Sequence, residues 1–69
     1  MKPKIYATSP SPDGIRKLIS EFYGGATITL EPTNTPRTWA IHNSKGHIPG
    51  MEVVAENHRY VFRACVDIL

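Results

Sequence analysis

The stretch MEVVAENHRYVFRA, Met51 to Ala64, decides the fold. It reads as a β-hairpin with a two-residue turn at Asn57-His58. That turn sets Glu56 opposite Arg59, Val54 opposite Val61 and Glu52 opposite Arg63 on one face. The other face then pairs Ala55 with Tyr60, Val53 with Phe62 and Met51 with Ala64. Opposite charges meet on the first face and apolar side chains on the second. A slip of one residue would exchange the faces and destroy both sets. The same pairing predicts that Glu56 and Glu52 neutralise Arg59 and Arg63, two arginines that would otherwise advertise nucleic-acid binding.

Upstream of the hairpin the pattern changes period. Lys4 to Thr8 reads as a first strand, with Ile5 and Ala7 on one side and Tyr6 and Thr8 on the other. Ser9-Pro10 stops it. Ser11 then caps a helix through its hydroxyl, with Pro12 at the first helical position and Asp13 at the positive end of the dipole. Ile15, Leu18, Ile19 and Phe22 form one apolar stripe. Gly24-Gly25 ends the helix, and Gly14 weakens its first turn. Glu21 lies four residues from Lys17, within pairing distance on the solvent side.

Ala26 to Glu31 alternates as a second strand, Pro32 to Arg37 is a loop, and Thr38 to His42 is a third strand. Asn43-Ser44-Lys45-Gly46 suits a hairpin turn with its glycine left-handed. Ile48 and Met51 are both core types yet stand three apart, so one extra residue is expected at Pro49-Gly50, as a bulge. Arg59 to Val66 is the fifth strand. The order β-α-β-β-β predicts a two-layer α+β fold, with a single helix packed on one face of a mostly antiparallel sheet of four to five strands. Residues 1–69 form a single domain. Its expected core is Ile5, Ile15, Leu18, Ile19, Phe22, Ile28, Leu30, Trp39, Ile41, Met51, Val53, Tyr60, Phe62 and Ala64.

A chain this short buries only about 60% of the surface it exposes when unfolded, so little stability is spare for strained geometry. Its 41% hydrophobic content suits a globular domain, and a net charge of +2 is too small to specify a nucleic-acid partner. No apolar run is long enough to cross a bilayer, and Lys2 and Lys4 are not followed by a signal-peptide core. With Cys65 as its one cysteine, the expected compartment is the reducing cytoplasm.

Chemical motifs are sparse. His42, His47, His58 and Cys65 show no metal-ligand spacing, so no metal and no cofactor is expected. Cys65 has no histidine placed beside it to make it a nucleophile, and no GxSxG elbow occurs. Gly24-Gly25 follows a helix and so meets the wrong end of the dipole for a phosphate. No catalytic residues are assigned.

The expected contact residues lie in two places. The second to fifth strands would form a meander with the Pro32–Arg37 loop and the Asn57-His58 turn at the same end, and if the first strand runs parallel to the second the helix N-terminus lies there too. Asn34, Arg37, Asn57, His58 and Arg59 would then gather there, and Arg37, His58 and Arg59 could hold an anion. The sheet face away from the helix would show Val54 and Val61 among Thr27, Thr29, Thr38, Ala40 and Cys65, a strip suited to a partner or to a second copy in a homodimer. The expectation is a small non-enzymatic binding module acting through protein–protein contact. By size and architecture it would suit an accessory or inhibitor protein of the kind carried by phages and mobile elements. The alternative is a weak nucleic-acid binder using Arg37, Lys45 and Arg59. No membrane partner is expected.

Overall fold

The computed structural model describes residues 4–65. Strand β1 covers Ile5–Ser9, helix α1 Pro12–Phe22, β2 Thr29–Pro32, β3 Thr38–Asn43, β4 Gly46–Glu56 and β5 Arg59–Ala64. The strands form one five-stranded sheet in the order β1-β5-β4-β3-β2, every neighbouring pair antiparallel. One helix packs against it, giving an α+β fold. Strands β2 to β5 form a meander. The first strand does not pair with the second. It joins the far edge beside β5, and four antiparallel steps leave β1 and β2 pointing the same way.

The β4–β5 hairpin has the register read from the sequence at all six pairs, from Glu56 with Arg59 to Met51 with Ala64. Its turn residues have positive φ, 51° at Asn57 and 62° at His58. That is the twist which continues the right-handed coil of the two strands.

The helix starts as its sequence dictates. The Ser11 hydroxyl accepts the Gly14 N–H at 3.0 Å and Pro12 follows the cap. Gly14 has a tertiary reason to be glycine: a Cβ there would collide with the hydroxyl of Ser9. Ser9 is the buried polar residue at the end of β1. At the other end Gly24 and Gly25 take φ of 73° and 90°, and the Gly25 N–H returns to the Ser20 carbonyl at 2.8 Å. On the helix surface Arg16 pairs with Asp13 at 3.3 Å, whereas the expected Lys17–Glu21 pair does not form.

Ile15, Ile19, Ile28, Ile41, Val53 and Phe62 make the buried core. Leu30, Trp39, Met51 and Tyr60 are only half-buried against it, because the helix contacts β1 and β5 and leaves the other half of the sheet less roofed. Three expected core residues are exposed instead: Ile5 by 57%, Phe22 by 53% and Leu18 by 38%. The cause at Ile5 is a bulge. Ile5 pairs with Arg63 but Ala7 pairs with Phe62, so parity changes at Tyr6. Ile5 therefore joins Arg63 on the face away from the helix. Tyr6 turns to the helix side, its ring 5.3 Å from Phe22 and 5.4 Å from Phe62. Burial raises the pKa of the neighbouring Tyr23 phenol above its ordinary value, and Tyr6 adds to the rise.

Strand β2 starts later than expected. The Ser20 hydroxyl donates to the Ala26 carbonyl, holding that segment against the helix, while Ile28 still points inward and is buried. The bulge in β4 is larger than one residue. Ala40 pairs with Glu52 and His42 with His47, so Ile41 alone faces Ile48, Pro49, Gly50 and Met51. Gly50 takes φ of 81°, and its carbonyl accepts the Cys65 N–H at 2.8 Å. Strand β5 ends at Ala64 among the described residues; Val66 lies outside them.

Candidate functional site

The end of the sheet that carries the β4–β5 turn gathers three separate segments. Arg37 closes the β2–β3 loop with a positive φ of 58°. That loop is held by its own side chains: the Thr33 hydroxyl accepts the Thr35 N–H at 3.1 Å, and the Thr38 hydroxyl donates to the Pro36 carbonyl at 3.1 Å. The Arg37 carbonyl then accepts the Ala55 N–H at 2.8 Å, which stitches the loop to β4 just before the turn. Pro10 arrives from the β1–α1 connection. These segments enclose an open depression of about 540 Å³, lined by Pro10, Arg37, Glu56, Asn57, His58 and Arg59 together with Ala55 and Tyr60. An adjoining depression uses Thr8, Ser9 and Pro10 with Asn57, His58 and Arg59.

The antiparallel meander of β2 to β5 puts Arg37 at the same end as Asn57, His58 and Arg59, and the shared direction of β1 and β2 brings Pro10 to that end as well. Asn34 is exposed in the same loop but does not line the depression. Pro10 and Glu56 were not expected there. The signal for Pro10 was its place directly after β1, which could be used only once β1 was known to lie beside β5.

The Glu52–Arg63 pair read from the sequence forms, whereas the Glu56–Arg59 pair does not. Arg63 takes both carboxylates, with its Nε 2.8 Å from Glu52 Oε2 and a terminal nitrogen 3.7 Å from Glu56 Oε1. Arg59 stands opposite Glu56 in register yet forms no ion pair among the described residues, and neither does Arg37. Glu56 lies four residues along β4 from Glu52, the residue opposite Arg63, and the half-buried Arg63 side chain extends along the strand so that its Nε meets Glu52 while a terminal nitrogen reaches Glu56. Two guanidiniums therefore border the depression without a counter-ion among the described residues. A guanidinium offers paired, coplanar donors, so the arrangement suits carboxylate or another planar anion.

The strip on the opposite sheet face is narrower than expected. Thr38, Val54, Val61 and Thr8 lie in one row across β3, β4, β5 and β1. Val61 is only 3% exposed, hemmed in by that row and by Arg63, so it offers a partner almost no surface. Val54 is half-buried. Among the described residues no group of three or more His, Cys, Asp or Glu side chains gathers to hold a metal, and no helix is long and apolar enough to cross a membrane. Cys65 lies beyond the end of β5 remote from His58. Comparison with protein-family models, with curated proteins and with solved structures returns no match.

Proposed function

We propose that this chain is a small non-enzymatic binding module that works by protein–protein contact, in an accessory or inhibitor role. Its contact end is the depression bordered by Arg37, Asn57, His58 and Arg59. One observation carries the reading. Arg37, Asn57 and His58 are the non-glycine residues of positive φ among the described residues, and all three line this one depression. The left-handed region costs an L-residue such as Arg37 or His58 roughly 1–2 kcal/mol, whereas asparagine tolerates it. Glycine would remove that strain and is used for it elsewhere, at Gly46 and Gly50. Side chains kept at strained positions in one place favour a role for those side chains. The two guanidiniums, which form no ion pair among the described residues, favour a partner whose protein surface presents carboxylates.

The test is capture from cells that express the chain, with nuclease present throughout. The native chain should retain a protein partner, and Arg37→Glu combined with Arg59→Glu should lose it while keeping the same circular dichroism. Loss of every partner on nuclease treatment would overturn the reading.

A second reading draws on the same pair of arginines. Because Arg59 is not engaged by Glu56, it could serve with Arg37 and Lys45 in weak nucleic-acid binding. That binding would rest on phosphate contact and would fall steeply with salt. Titration of labelled DNA and RNA at two salt concentrations separates the two: sub-micromolar, sequence-dependent binding that both charge reversals abolish would make this the better reading.

A further inference from the structure

We infer that His42 and His47 form a two-histidine chelate for a divalent borderline transition metal such as Cu²⁺, Ni²⁺ or Zn²⁺. The site lies at the opposite end of the molecule from the depression and is independent of the function proposed for it.

The two residues are five apart in sequence and look unrelated as a motif. The Asn43–Gly46 turn makes them direct partners across β3 and β4. Three features of the chain hold that register. Asn43 Oδ1 accepts the Lys45 N–H at 2.8 Å, Gly46 takes φ of 115°, and Asn43 pairs with Gly46 next to the histidine pair. Ile41 is buried on the helix side, so His42 lies on the sheet's other face, with His47 opposite it and Thr29 of β2 on its other flank. His42 is half-buried and His47 exposed, so an ion can reach both.

The spacing fits a shared ion. The imidazole rings have centroids 5.4 Å apart and are tilted by 48°. A ring bound through nitrogen at about 2.1 Å sits with its centroid roughly 3.2 Å from the metal. Two such rings at the tetrahedral angle have centroids about 5.2 Å apart, and at a right angle about 4.5 Å. The observed separation therefore needs rotation of the rings but little movement of the backbone. Imidazole is the preferred protein ligand of copper, nickel and zinc and a poor one for calcium or magnesium. Among the described residues no third His, Cys, Asp or Glu joins the pair. The remaining coordination positions would go to water or to a donor from another molecule. Such an ion would staple β3 to β4 beside the break in their ladder at Ile48–Met51 and so stabilise the folded chain in proportion to its occupancy.

Titration of the purified full chain with CuSO₄, NiCl₂ and ZnCl₂ tests the site, followed by amide chemical shifts with Zn²⁺ and by calorimetry with all three. The expected result is one ion per chain with micromolar affinity, Cu²⁺ tightest. The zinc-dependent shifts should centre on residues 42–47, and the melting temperature should rise with each ion. His42→Gln and His47→Ala should each lower the affinity at least tenfold, whereas His58→Ala should leave it unchanged. Because His47 is exposed, His47→Ala keeps the comparison valid should His42→Gln alter the fold. Binding only at millimolar metal, shifts centred elsewhere, or equal losses in His47→Ala and His58→Ala would each overturn the proposal.

Discussion

The two hairpins that share β4 are built on opposite terms. Toward β5 the ladder is unbroken through six pairs, and its turn is made of asparagine and histidine in the left-handed region. Toward β3 the ladder breaks at Ile41, and the unusual backbone angles fall on Gly46 and Gly50. One hairpin keeps perfect pairing and strained side chains at its tip. The other relaxes its backbone with glycine and gives up pairing. Complementary side chains on both faces hold the first register firmly enough to carry a strained turn. Where that complementarity lapses, at Ile48-Pro49-Gly50, the ladder takes the route that glycine makes easy.

The largest expected effect tests whether the β4–β5 hairpin is the foundation of the fold. Phe62 is fully buried. Phe62→Ala should destabilise by about 3–5 kcal/mol, enough to unfold much of a domain of this size at room temperature. Ile48→Ala, in the broken hairpin and only half-buried, should cost distinctly less. Urea denaturation of both compares them directly, and equal losses would remove the distinction between the hairpins.

Next comes the charged face. The Glu52 and Arg63 side chains are 19% and 25% exposed and 2.8 Å apart. Glu52→Gln should cost about 1–3 kcal/mol, because it leaves a half-buried guanidinium poorly matched. Glu56→Gln, at the longer and wetter contact, should stay within about 0.5 kcal/mol. The same denaturation measurement checks both; if Glu56→Gln costs as much as Glu52→Gln, Arg63 does not divide its carboxylates as the distances indicate.

The smallest effects have opposite signs and exchange the backbone solutions of the two hairpins. Gly50→Ala meets no steric clash, since nothing lies near the added Cβ, but it forces alanine to a φ of 81°. It should destabilise by about 1 kcal/mol. His58→Gly converts the tip to Asn-Gly, the preferred pair for this turn, and should stabilise by about 0.5–1 kcal/mol. The proposed function adds a second readout: His58→Gly should raise the melting temperature while weakening capture of the partner. A variant that is both more stable and fully competent in binding would show that the histidine is not kept for contact.

Much of this protein follows from short-range pattern. The six hairpin pairs, the Ser11 cap, the glycine helix end and the mismatch between Ile48 and Met51 are local matters of period and backbone angle, and sequence carries them directly. The place of β1 in the sheet was not legible, because nothing in Lys4 to Thr8 states which edge it will join; that depends on packing Ala7 and Tyr6 against the core around Phe62. The parity change at Tyr6 followed from that choice and moved Ile5 to the other face. At the candidate site, Asn57, His58 and Arg59 were legible as a turn, and the gathering of Arg37 with them as a consequence of strand direction. The pairing of Arg63 with Glu52 was legible as well, but the capture of Glu56 by the same arginine was not, since the register sets Glu56 opposite Arg59. Only the three-dimensional reach of one side chain over the pleat decided that Arg63 holds both glutamates and leaves Arg59 without one. Local geometry is written in neighbouring residues; the choice among distant partners is made by packing.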